Sequence, residues 1–262
     1  MKKITSLQDA LQYGYNLDFG IVFEKALGNF KKIFLVAGLA YIILTVIFVA
    51  LFFGFFSLIM GAVSFTESMA NFATYATSSI TATLIYLGIT ALITAIASPI
   101  AAGFLKMSYL ADKDKDFSIG TIFEYYKSSH FKDILIASLI IALFSNGLAI
   151  AFEYAGLGTI GNIVSYIIAF FTFLTIPIII FSNYSGVDAI GASVKLVLKQ
   201  PLILLGLLIV AFIIVILGVI GLCIGIFFTL PFYNSITYTI YSSIVSLDEK
   251  SEIDEIGSSF DV

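Results

Sequence analysis

Between Lys199 and Asp248 the chain carries no charged side chain. As one helix that run would extend roughly 70 Å, against a bilayer hydrocarbon core of about 30 Å. It must therefore cross, turn and return. Gly218 and Gly221 sit near its middle, where a tight reversal belongs, and Pro231 interrupts the returning arm. An amphipathic segment, Val187 to Lys199, precedes it. The unit reads as surface helix, span, and a second span with a proline.

Composition favours oil as the solvent for the whole chain. Of 262 residues, 60% are hydrophobic and only 11% charged, and the mean hydropathy is +1.08. A water-soluble fold cannot hide so many apolar faces. Lys and Arg together number 13, all of them lysine, and the net charge is −4. Much of the negative balance falls in the tail from Asp248. No basic face can be drawn for a nucleic acid. The one cysteine, Cys223, and the one histidine, His130, exclude a disulfide framework or a multi-histidine metal centre within one chain. No cofactor is expected. The N-terminal region does not have the layout of a cleavable signal, and neither end carries a lipidation motif.

The same unit can be traced twice more. After a polar lead at 1–17, helical periodicity starts at Asp18. Phe19, Val22, Phe23, Ala26, Phe30, Ile33 and Phe34 fall on one stripe; Asp18, Lys25, Asn29 and Lys32 fall on the other. Such a helix lies in the membrane interface. A first span follows at about 33–57, then a loop at 61–79 whose charge is Glu67, then a second span at about 80–105 broken at Ser98-Pro99. A charged connector leads to a second surface helix, with Ile119, Ile122, Phe123 and Tyr126 inward and Glu124 and Lys127 outward. Spans at about 131–152 and 163–181 flank a loop with Glu153, and the latter contains Ile176-Pro177. In the third surface helix Ile190, Val194, Val197 and Leu198 face inward, with Asp188, Lys195 and Lys199 outward.

The expected fold is thus an all-α membrane protein. Six transmembrane helices form three hairpins, each preceded by a cytoplasmic amphipathic surface helix. The N-terminal lead is 1–17, the membrane domain 18–247 with units at about 18–110, 116–183 and 187–246, and the acidic tail 248–262. Phe30-Lys31-Lys32-Ile33 and Phe131-Lys132-Asp133-Ile134 occupy matching places, and each unit has its proline in the second span. That layout fits a threefold parallel repeat about the membrane normal, although any six-span protein with surface helices would share much of it. Lysines cluster in the N-terminal segment, two connectors and the tail. By the positive-inside rule both termini belong in the cytoplasm and the protein in the cytoplasmic membrane.

No ionisable residue falls at mid-depth in a span, which weighs against a proton-coupled transporter or a charged-substrate carrier. The prolines are the candidate functional feature. Pro99, Pro177 and Pro231 either break helices around a cavity or merely kink a bundle. Asn183 and Asn234 lie just beyond two of them, with polar neighbours such as Ser182, Tyr184, Tyr233 and Thr237. Gly221 and Gly225 have the small-xxx-small spacing for close helix approach, within the last hairpin or in a dimer seam, and Asn146 is placed to bond a neighbouring helix. His130 reads as a solvated interface residue.

The order Lys199-Gln200-Pro201, long apolar run, Leu230-Pro231-Phe232-Tyr233 and Tyr241-Ser242-Ser243-Ile244 resembles a broad group of uncharacterised prokaryotic six-span integral membrane proteins. That group is similar to the membrane domain fused to some glycerophosphodiester phosphodiesterases. The resemblance covers most of the chain in layout, and the phosphodiesterase's acidic and histidine ligands have no counterparts to carry over. Some members bear a carotenoid-oxygenase label, a chemistry that needs an iron held by several histidines. The leading expectation is a non-enzymatic membrane protein that organises partners or senses the bilayer, with lipids, a protein partner or a second copy as its company. The alternative is a conduit for a lipid or neutral solute between proline-kinked helices. A filled centre would fit the first, a polar-lined cavity near the three prolines the second.

Overall fold

The computed structural model describes residues 6–60, 79–220 and 224–247, and within helix 19–60 the side chains of residues 55–57, 59 and 60 are excepted. The expected loop 61–78 with Glu67, Gly221, Cys223 and the acidic tail lie outside the described residues. Among the described residues the structure is helical, with no strand. The helices are α1 Leu7–Tyr13, α2 Phe19–Met60, α3 Ile80–Asp112, α4 Phe131–Tyr154, α5 Gly158–Thr172, α6 Thr175–Ser182, α7 Gly186–Lys199, α8 Pro201–Ile220 and α9 Gly225–Ile244. A 3-10 stretch, Ile119–Lys127, lies between α3 and α4.

Five segments are long and apolar enough to cross a membrane: Phe19–Gly54, Ile80–Asp112, Phe131–Tyr154, Gly158–Ser182 and Pro201–Ile220. Their large side chains point outward. Leu202 is 83% exposed, Ile220 77%, Tyr166 76% and Leu51 68%, an apolar surface that water would not tolerate. The inward faces are built instead from small residues. Ala37, Ala40, Ala91, Ala95, Ala102, Ala137 and Ala211 are buried. Lipid solvates large apolar groups as well as protein does, so helices associate where small side chains let their backbones approach. The chain is an integral membrane protein.

Helix α9 has the same length as α8, 20 residues, yet carries Asn234, Ser235, Thr237 and Thr239 and is not among the five apolar segments. Its position explains the composition. It packs along α2 and α8 and touches α3 and α6, and its residues from Ser235 to Tyr241 are all buried. A helix so enclosed meets little lipid; its Asn234 and Ser235 side chains find partners inside, while the buried Thr237 and Thr239 hydroxyls have none among the described residues. Ser235 Oγ donates to the Ala26 carbonyl at 2.7 Å and Asn234 Nδ2 to the Tyr41 hydroxyl at 2.8 Å.

The membrane-length segments alternate in direction, with α5 and α6 together making one of them, which gathers the described lysines at one end. There Lys25 pairs with Asp112 at 3.3 Å and Lys32 with Asp114 at 2.6 Å, while Lys106 pairs with Glu124. Gly186 N donates to Asp133 Oδ1 at 3.0 Å, Leu17 N donates to Gln200 Oε1 at 3.0 Å and Tyr15 Oη donates to the Leu196 carbonyl at 2.8 Å. Burial raises the Tyr15 phenol well above its ordinary value, so it remains a donor. At the opposite end the Thr83 and Tyr154 hydroxyls lie 2.8 Å apart.

The three surface segments have three different local structures. The first does not turn along the interface: α2 runs unbroken for 42 residues, roughly 63 Å, so Phe19–Lys32 continues straight into the first span. Its inward face is Val22, Ala26, Asn29 and Ile33, and Phe19 and Phe34 are exposed. Asn29, expected outward, donates to the Ser108 carbonyl at 2.8 Å. The second segment is a 3-10 helix, and its buried face is Thr121, Ile122 and Tyr125. With three residues per turn, Ile122 and Tyr125 eclipse, which leaves Phe123 and Tyr126 off that face. The third, α7, buries Gly186, Ala189, Ala192, Ser193, Leu196 and Val197. Its small residues make the contact and Leu198 faces out at 59% exposure. Asp188, Lys195 and Lys199 are exposed as expected.

Candidate functional site

Between α3, α4, the α5–α6 pair and α9 lies an open cavity of about 660 Å³, with Ile93, Thr94, Ala97 and Asn146 exposed at its wall. Each wall contributes hydroxyl or amide groups among apolar ones. Helix α3 supplies Thr94 and Ser98, and α4 supplies Ser138, Ser145 and Asn146. The α5–α6 pair adds Thr172 and Thr175, and α9 adds Tyr233, Asn234 and Thr237. No acidic or basic side chain lines it. Among the described residues no group of three or more His, Cys, Asp or Glu gathers anywhere as a metal site. The cavity can therefore hold a molecule by apolar contact and a few neutral hydrogen bonds, without charge or metal chemistry of its own.

None of the three span prolines lines this space, but each lies within two residues of one that does, in a different local setting. Pro99 lies within continuous α3. Its missing N–H frees the Ala95 carbonyl, which Ser98 Oγ meets at 2.7 Å. The neighbouring Ile96 carbonyl accepts from Tyr126 Oη at 2.7 Å. Pro231 likewise lies inside continuous α9, two residues before Tyr233. Only the chain around Pro177 is broken, and the break comes before it, at Phe173–Leu174. Pro177 stands in the first turn of α6, where an absent N–H costs no intrahelical bond. The break is mended from α7: Ser193 Oγ donates to the Phe171 carbonyl at 2.8 Å and accepts from Leu174 N at 3.2 Å.

Asn234 lines the cavity and is anchored through Tyr41, which stacks on Phe104 with ring centroids 4.2 Å apart. Asn183 does not line it. It ends α6 in the left-handed conformation, φ 56°, which asparagine adopts more readily than most residues. Asn146 lines the cavity and is exposed there; among the described residues its side chain bonds no neighbouring helix. Gly225 lies directly against Gly218 of α8, closing the last hairpin where a side chain would not fit. Sequence reasoning missed the contributions of α4 and α5, where isolated Ser and Thr in apolar helices give no signal until the helices are placed. It also missed Thr175, whose buried hydroxyl has no hydrogen-bond partner.

A second, smaller pocket of about 370 Å³ opens at the lysine end, lined by Lys106, Tyr109, Tyr125, Ile180, Phe181 and the segment Ser246–Leu247. The Lys106 ammonium lies 6.0 Å from the Tyr125 ring centroid. Burial, and after it the charge of Glu124, raises the Tyr125 phenol, which keeps it protonated and able to donate.

No protein-family model, curated protein or solved structure matches this chain. Function must be argued from the site alone.

Proposed function

We propose that this is a six-span protein of the cytoplasmic membrane that takes a lipid or a neutral amphiphile into the cavity between its proline-bearing helices, to hold it or pass it on. The observation that carries this reading is the 660 Å³ space itself, walled by apolar side chains with neutral hydroxyls and amides among them, on helices that carry the three span prolines. Its size is that of ordinary small-molecule sites, which run from about 300 to 1,000 Å³. An organising or bilayer-sensing protein has no need of such a space, so the cavity favours the conduit over the leading expectation.

In this reading α9 is the sixth span, enclosed by its neighbours and so permitted its polar face. Six crossings return the chain to its starting side. The lysine end then faces the cytoplasm with both termini, and the layout shared with the membrane domains of some glycerophosphodiester phosphodiesterases is a common scaffold without their chemistry. The three-unit repeat is part of the same proposal and rests on the order of elements rather than on their local structure.

Native mass spectrometry of gently extracted protein tests the reading. Wild type should retain a lipid or lipid-like molecule, and Ala97→Phe, which grows a ring from α3 into the cavity, should lose it. Wild type that retains a polypeptide and no small molecule would return the organising role.

A further inference from the structure

The small pocket begins where the large cavity ends, on the same two helices. Along α3 the cavity is lined from Ile93 to Leu105 and the pocket from Lys106 to Tyr109; along α6 the cavity is lined at Thr175 and Ile176 and the pocket at Ile180 and Phe181. The cavity's stretch of α3 rises about 18 Å, close to the ~15 Å of one leaflet's hydrocarbon. The chemistry changes at the same place. Above it stand apolar walls with neutral hydroxyls, and below it a lysine ammonium and two tyrosine phenols.

These groups are all donors toward an oxyanion. The carboxylate on Lys106 is Glu124, whose side chain is 47% exposed and lies outside the pocket lining. It can swing into water when another anion takes its place. A headgroup at Lys106 also stays at the membrane surface, so no charge has to enter the cavity, where no acidic or basic side chain stands ready to receive it.

Resting on the proposed function above, we infer that the ligand is a lipid with a net-negative phosphate headgroup, its tail in the large cavity and its headgroup on Lys106, Tyr109 and Tyr125, with Glu124 as the resident counter-ion it displaces. A free phosphate shares the headgroup's chemistry but not the tail's, and this separates the two sources.

The test is a titration of full-length protein in mild non-ionic detergent with tail-labelled phosphatidylglycerol and tail-labelled phosphatidylcholine. Wild type should prefer phosphatidylglycerol by about tenfold, the size expected of one charge-assisted bond. Lys106→Gln should bring phosphatidylglycerol down to the phosphatidylcholine level and leave phosphatidylcholine unchanged, while Lys106→Arg keeps the preference. Glu124→Gln, which removes the competitor, should tighten phosphatidylglycerol several-fold. Ala97→Phe should abolish both lipids. If Ala97→Phe does so and Lys106→Gln leaves the preference intact, the headgroup assignment is overturned while the cavity reading stands. If neither variant changes binding, both are overturned. Inorganic phosphate competing as well as short-chain phosphatidylglycerol would also overturn the inference, because the pocket would then be reading the anion alone.

Discussion

Ser98 Oγ donates to the Ala95 carbonyl at 2.7 Å, the carbonyl that Pro99 deprives of its N–H. The residue before the proline thus repairs the helix that the proline damages, at a point where Ala95 and Ser98 are both buried. Ser98→Ala should keep the fold and lower its stability by about 1–3 kcal/mol, the cost of an unmet buried acceptor. Detergent thermal unfolding checks this, with Thr94→Ala, whose hydroxyl bonds the Thr90 carbonyl on an exposed turn, as the variant expected to be near neutral.

Two ion pairs at the lysine end should differ sharply. Asp112 accepts from Tyr238 Oη at 2.8 Å and pairs with Lys25 through the same oxygen, and its side chain is 21% exposed. Asp114, the partner of Lys32, is 82% exposed. Asp112→Ala leaves the Tyr238 hydroxyl without its acceptor and should cost about 1–3 kcal/mol. Asp114→Ala should cost well under about 1 kcal/mol, as exposed pairs do. The comparison is made by thermal unfolding at equal salt. Equal losses would mean that the Tyr238 bond adds nothing.

Gly103 is where the 3-10 stretch crosses α3, and an added Cβ there would run into the Ile122 backbone. Backbone cannot swing aside as a side-chain tip can. Gly103→Ala should destabilise by about 1–3 kcal/mol and should loosen the stretch from α3, read as faster thiol labelling of a cysteine placed at buried Ile122.

The orientation is open to labelling in intact cells, in a Cys223→Ser background. Cysteine at Leu157, 45% exposed between α4 and α5, should react with an impermeant reagent added outside. Cysteine at Asp116, exposed beyond α3, should react only after permeabilisation. The opposite pattern would invert the protein in its membrane.

The class of the fold is legible in the sequence because solvent choice is a property of long stretches: the uncharged run after Lys199 cannot be read any other way. Local faces were less legible, and for one recurring reason. Large apolar residues such as Phe19, Phe123 and Leu198 look like core residues under the rules of water-soluble proteins. In this chain they are exposed, and the buried positions are Ala26, Ala192 and Ser193. The 3-10 winding of Ile119–Lys127 shifts the buried face from Tyr126 to Tyr125, and the lone Gly120 does not announce it. Continuity of α2 through Lys32 was hidden because charge at 31–32 reads as an interface, whereas a helix can simply protrude past one. The prolines stand near the cavity without lining it, and its walls did not show. Ser138, Ser145 and Thr172 acquire meaning only when their two helices, α4 and α5, come together.

Photo-cross-linking reads the central claim most directly. The full-length protein is reconstituted with a lipid carrying a diazirine near the end of its tail, irradiated, digested and mapped by mass spectrometry. Adducts are expected on the peptides holding Ile93–Leu105, Ser138–Asn146 and Tyr233–Thr237, and should vanish from them in Ala97→Phe. Adducts found solely on the outward face of α8, with none on those three stretches, would show that lipid bathes the protein without entering it.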